Sequence, residues 1–280
     1  MNKRMFVLVT LQLCFIFVSR GQDSIPKKSV HLFGIYTGVS RHIIRDDVAS
    51  PLIYSGSKAP FVFTYRYIGS KSRQSFTFYI DDLELHSSIT DKSGYYWHYA
   101  DNINALLDYT YTRKAVTISP IRTDCFLGFK FLSVLNYRNL HYDNDNSILF
   151  VEQLNSLGIN LLMEKRIGSV KDDYLRFNVN VPILAYAVLS NRYNSVVSET
   201  FDKIDFNKNV LWQVLTNGEF VTLNKLVAYQ TELSYTVFLT KHIGIELEHR
   251  LHFYNFSHYK DLLHARYLNN QFLIGLIVKL

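Results

Sequence analysis

The residues best suited to chemistry fall in two short runs. Asp81, Asp82, Glu84 and His86 form one; Glu248, Arg250 and His252 form the other. Carboxylates and an imidazole held close together can pass a proton to and from a reacting group. Asp81, Asp82, Glu248 and His252 are therefore the candidates for hydrolytic acid–base work, and a network of paired charges is the competing role for the same side chains. Metal chelation fits poorly, because His249 and His252 are three apart and an extended strand sends them to opposite faces. Phosphate loops, dinucleotide fingerprints and zinc-protease motifs do not occur. We expect no metal and no cofactor.

What positions these runs is a chain that alternates. Phe61, Phe63, Tyr65 and Tyr67 interleave with Val62, Thr64 and Arg66; Leu107, Tyr109 and Tyr111 with Asp108 and Thr110. Leu127, Phe129 and Phe131 oppose Gly128 and Lys130, and Leu157 to Met163 oppose Gly158, Asn160 and Glu164. Leu175 to Ile183 oppose Arg176, Asn178 and Asn180, and Tyr229 to Leu239 oppose Gln230, Glu232 and Ser234. Ile243 to Phe253 oppose Gly244, Glu246, Glu248 and Arg250, and Phe272 to Leu280 oppose Gly275 and Lys279. A period of two predicts half-buried strands. With Phe33 to Val39 and Phe76 to Leu85 the count is about ten, with 8–12 admissible. In the Phe76 strand the apolar parity slips at Asp81-Asp82, which predicts a bulge. The connections alternate short and long. Residues 69–72, 117–121, 167–172 and 240–242 are turn-like, whereas 44–57, 87–103, 136–153, 187–218 and 255–265 read as loops. That rhythm describes up-and-down antiparallel strands with tight turns at one end.

The chain has 280 residues, 15% aromatic and only 19% charged. It begins with Lys3-Arg4, a short apolar run from Met5 to Val18, and Ser19-Arg20-Gly21, the form of a cleaved export signal over 1–21. Removing Lys3, Arg4 and Arg20 leaves 27 basic against 24 acidic residues, a net of +3. That is no footprint for nucleic acid. Cys14 leaves with the leader, so Cys125 has no disulfide partner.

The apolar faces are long enough to cross the ~25 Å apolar band of an outer membrane. The opposite faces carry Arg66, Asp108, Lys130, Glu164, Arg176, Glu232, Glu246, Glu248 and Arg250, a set suited to an enclosed lumen where charges pair. The expected fold is all-β: a single closed antiparallel up-and-down transmembrane β-barrel over 22–280. A soluble exported β-barrel holding a ligand inside is the alternative.

On these features, and on the ending Gly275-Leu276-Ile277-Val278-Lys279-Leu280, the chain resembles outer-membrane β-barrel proteins of Gram-negative bacteria. In those proteins a final Gly, two residues, an apolar residue, any residue and an aromatic or apolar one form an assembly signal; Gly275, Val278 and Leu280 fill the slots. The resemblance implies residence in the outer membrane, contact with its lipid, and insertion by the barrel-assembly machinery. Among enzymes of this class, omptin proteases carry paired Asp-any-Asp and Asp-any-His spacings that are missing here. The membrane lipid hydrolases carry a His and a Ser two apart, whereas Ser257 and His258 are adjacent. The expected role is a non-enzymatic surface-binding or structural component, or a narrow channel, with a hydrolase as the alternative. Tyr95, Tyr96, Trp97, His98 and Tyr99 in one loop, and Asn191, Arg192, Tyr193, Asn194 and Trp212 in another, would serve an envelope or extracellular partner.

Overall fold

The computed structural model describes residues 29–47, 50–89, 98–118, 123–141, 147–167, 173–191, 218–258 and 263–280. The proposed leader, 1–21, lies outside them. Among the described residues, no helix is long and apolar enough to cross a membrane.

The described residues form twelve strand segments in one antiparallel sheet. They are β1 (Val30–Asp46), β2 (Ser50–Lys58), β3 (Phe61–Ile68), β4 (Ser72–Ser87), β5 (Tyr99–Ile118), β6 (Thr123–His141), β7 (Ser147–Ile167), β8 (Asp173–Asn191), β9 (Glu219–Thr222), β10 (Leu226–Phe238), β11 (Ile243–His258) and β12 (Leu263–Lys279). β2 and β3 both lie between β1 and β4, and in one register, so they are a single stave. Pro60 has no N–H to donate and sits where the stave's ladder is broken. β9 and β10 likewise both pair with β8, on either side of the turn at Leu223-Asn224-Lys225. The wall therefore has ten staves, and β12 pairs with β1 to close it. Closure removes the unpaired edge that lipid cannot tolerate.

Burial alternates along each stave, and the exposed side is apolar. Ile35, Val39, Leu127, Leu135, Ile159, Leu161, Leu247, Phe272, Ile274 and Leu276 are all exposed. Arg113 and Lys165 flank this belt at the end bearing the short turns, and Asp82, Asp101 and Arg266 flank it at the other. From Ser72 to Asp82, about ten residues tilted by ~40° rise ~25 Å, the height of the apolar band. The inner side is filled: Tyr36, Tyr79, Tyr254, Tyr267, Phe126, Lys130 and Phe256 are among the largest fully buried side chains.

Two expectations need correction. The bulge at Asp81-Asp82 is absent, because β4 pairs with β5 in unbroken register from Ser72 to His86. The residues change character while the pleat continues. Leu83 and Leu85 point inward and are buried, while Asp82 and Glu84 stand outside with 72% and 52% of their side chains exposed. The strand has left the lipid, so its outer face turns polar while its inner face still packs. For the same reason, most of the described residues in the segments read as long loops are strand. β1 runs to Asp46 and β2 starts at Ser50, and β7 has 21 residues. The wall stands above the apolar belt.

Candidate functional site

The inward side chains form tiers of ion pairs that reach across the barrel. Nearest the short turns, Glu164 accepts from Arg73 at 2.8 and 3.2 Å and from Arg176 at 3.1 Å. Arg73 and Glu164 are on β4 and β7, three staves apart. A second tier centres on Glu246, which is fully buried. Arg66 donates to both of its oxygens at 2.6 Å, Tyr36 donates at 3.0 Å, and Thr236 also donates to it. Beside it Arg250 clasps Glu248 at 2.6 Å.

A third tier holds Lys130 between Glu232 at 2.6 Å and Asp108 at 3.3 Å, with Asn178 donating to Glu232. Farther up, His42 Nε2 meets Asp81 at 2.6 Å and Ser40 at 2.9 Å, and Tyr79 also donates to Asp81. Tyr267 reaches His42 Nδ1 at 3.1 Å and accepts from Asn104 at 2.9 Å. At the top Arg138 joins Glu152 at 3.0 Å and Asp46 at 3.3 Å, while Asn136 donates to Tyr254 at 3.2 Å. Asn136 to Tyr254, Arg138 to Asp46, and Asn104 to Tyr267 each link staves four positions apart round a ring of ten.

A cavity of about 50 Å³ lies in the lower half, lined by Arg66, Arg176, Asn160, Asn178, Glu232 and Glu248, among others. Thr110, Thr112 and Asn160 point buried polar atoms there without a protein partner. Such a space suits a few ordered waters rather than an organic substrate.

The four candidate acid–base residues do not converge. Asp82 faces out beside Lys58 at 3.8 Å, Asp81 faces in against His42, and Glu248 is taken up by Arg250. His252 packs edge-on against Tyr267, with ring centroids 5.6 Å apart. Ser40, His42 and Asp81 are close, but Ser40 and Asp81 share the same imidazole nitrogen. A charge-relay triad needs them on opposite nitrogens, and all three are fully or almost fully buried. His42, Arg73, Arg138 and Glu152 were missed in the sequence, although Arg138 shares the parity of Lys130 on β6 and Glu152 that of Glu164 on β7. Among the described residues no cluster of His, Cys, Asp and Glu could hold a metal ion, and Cys125 is buried. Of the aromatic loop residues, Tyr95–Trp97 and Arg192–Trp212 lie outside the described residues. Tyr99 is described and stacks on His141 at 4.4 Å.

No family model matches the sequence, and no curated protein does. The fold does have solved counterparts. The outer membrane protease OmpT from Escherichia coli superposes with a TM-score of 0.56 at 8% identity, over 94% of this chain and 100% of that one. The translocator domain of the autotransporter NalP from Neisseria meningitidis covers 96% and 95% at a TM-score of 0.43, also at 8% identity. This chain is an outer-membrane β-barrel by fold. Its lipid-facing belt and closed wall place it in a bacterial outer membrane. At such low identity the likeness carries the architecture and no activity.

Proposed function

We propose that this outer-membrane barrel is a sealed, non-enzymatic surface component rather than a conduit. The observation that carries this reading is the set of side-chain bridges across the lumen, in several tiers from Arg73–Glu164 to Arg138–Asp46. Each tier obstructs the axis, and the buried tyrosines fill the space between them. Eight-stranded barrels are filled in this way, and open pores need more staves. Arg66, Asp108, Lys130, Glu164, Arg176, Glu232, Glu246, Glu248 and Arg250 serve in this reading as the seal and as a register lock, holding staves that are distant in sequence at fixed heights. The work is then done by the rim that rises above the belt. Gly275 and Val278 lie on the closing strand and Leu280 directly follows it, where an assembly factor would read them.

Reconstitution into planar bilayers tests the seal. We expect no steps above baseline at either polarity, in a preparation whose gel migration still changes on heating. Reproducible, ion-selective openings would establish the narrow-channel reading instead.

A further inference from the structure

The outer surface just above the apolar belt is charged, and unevenly so. On the β4–β5 side it carries Asp82, Glu84 and Asp101, and each has a basic partner: Lys58 at 3.8 Å, His86 at 3.0 Å and His141 at 2.9 Å. On the β1–β12 side it carries Arg41, Arg45 and Arg266. Arg45 and Arg266 are directly opposite in the ladder and Arg41 is opposite Asn270, all on the outer face. Two like charges facing each other across a strand pair repel.

Asp47 offsets part of this, accepting from Arg45 at 2.8 Å. Among the described residues, Arg41 and Arg266 are exposed and no carboxylate stands within ion-pair distance of either. Ile43 and Leu268 are ladder partners set between the arginines, and the belt begins just below with Val39 and Phe272, 56% and 62% exposed. Arg41 and Arg45 are about 13 Å apart along the strand. The result is an apolar cushion framed by guanidinium groups at the level of the outer-leaflet headgroups.

We infer that Arg41, Arg45 and Arg266 form a binding site on the outer wall for a phosphorylated glycolipid of the outer leaflet. Guanidinium groups grip phosphate oxygens through paired N–H donors. The acyl chains would lie against Ile43, Leu268, Val39 and Phe272, and the phosphates would relieve the repulsion between Arg45 and Arg266. The β4–β5 stretch, two to three staves from β1, presents carboxylates at the same height and, among the described residues, no comparable set of arginines, so binding centres on β1 and β12. The inference goes beyond the sealed-barrel reading and does not depend on it.

The test is native mass spectrometry of the detergent-folded protein with lipid A, with dephosphorylated lipid A, and with inorganic phosphate as competitor. Lipid A is expected to stay bound to the wild type. Its apparent affinity should fall about tenfold or more in the Arg41→Gln/Arg266→Gln variant, from the loss of charge-assisted hydrogen bonds. A Lys165→Gln/Lys241→Gln control, changed at the other rim, should bind as the wild type does. The dephosphorylated lipid should bind the wild type as weakly as lipid A binds the arginine variant. Equal binding by the arginine variant would overturn the site, as would equal binding of the two lipids. Displacement by inorganic phosphate at the same concentration as the glycolipid would reduce it to a simple anion site, and would overturn it too. The two-lipid comparison uses only wild-type protein, so it holds even where the arginine variant misfolds.

Discussion

Replacing Glu246 with Leu should cost this barrel about 3–5 kcal/mol, the penalty for leaving a buried charge without its partner. Glu246 gathers both guanidinium N–H groups of Arg66 along with the hydroxyls of Tyr36 and Thr236. With the carboxylate gone, Arg66 keeps only Glu248, at 3.8 Å, a residue already held by Arg250. Glu246→Gln should cost less, since an amide oxygen still accepts. The double replacement Arg66→Leu/Glu246→Leu should recover most of the loss, because removing a whole buried pair is often nearly neutral. Urea titration of unfolding in lipid vesicles measures all three. If Glu246→Leu matched the wild type, the pair would be ornamental and the register-lock role would be lost.

The second large effect is expected at Gly275. Tyr36, Gly275 and Glu246 occupy one row across β1, β12 and β11. The Tyr36 ring passes over Gly275, where a side chain would otherwise stand, and its hydroxyl reaches Glu246 at 3.0 Å. A Cβ at 275 would run into Cγ, Cδ1 and Cε1 of that ring. Gly275→Ala should therefore cost ~1–3 kcal/mol in overpacking, and more if the Tyr36 hydrogen bond to the carboxylate breaks with it. Tyr36→Ala/Gly275→Ala should be much less than additive, since the first change removes what the second collides with. Refolding without cellular machinery separates this role from the assembly signal. An alanine variant that refolds with wild-type stability in vitro yet fails to assemble in cells would make Gly275 a recognition residue only.

The facing of the strands was legible because lipid imposes a simple rule. Leu127 to Leu135, Ile243 to Phe253 and Phe272 to Val278 alternate cleanly, since one neighbour meets hydrocarbon and the next meets the interior. The rule weakens where the wall leaves the membrane. At Asp81 to Leu85 the outer face becomes polar and the inner face apolar, which mimics a one-residue slip although the pleat is continuous. The strand ends at Ile44, Arg138 and Glu152 were hidden in the same way, in segments whose polarity resembled loop. Following parity past the belt would have reached Arg138 from Lys130 and Glu152 from Glu164. The pairing itself was not legible. Which acid meets which base depends on stagger between staves far apart in sequence, as with Lys130 and Glu232 or Arg73 and Glu164.

The inside-out distribution of side chains is the claim beneath every other, and spin labels on the closing strand measure it directly. In a Cys125→Ser background, a nitroxide is placed in turn through Phe272→Cys, Leu273→Cys, Ile274→Cys, Leu276→Cys and Ile277→Cys in bilayers. The account predicts high collision rates with oxygen dissolved in lipid at 272, 274 and 276, and low rates with both oxygen and a water-soluble nickel chelate at 273 and 277. Labels at 274 and 276 that collided with the chelate and not with oxygen would put that face in water, and the barrel as described would be wrong.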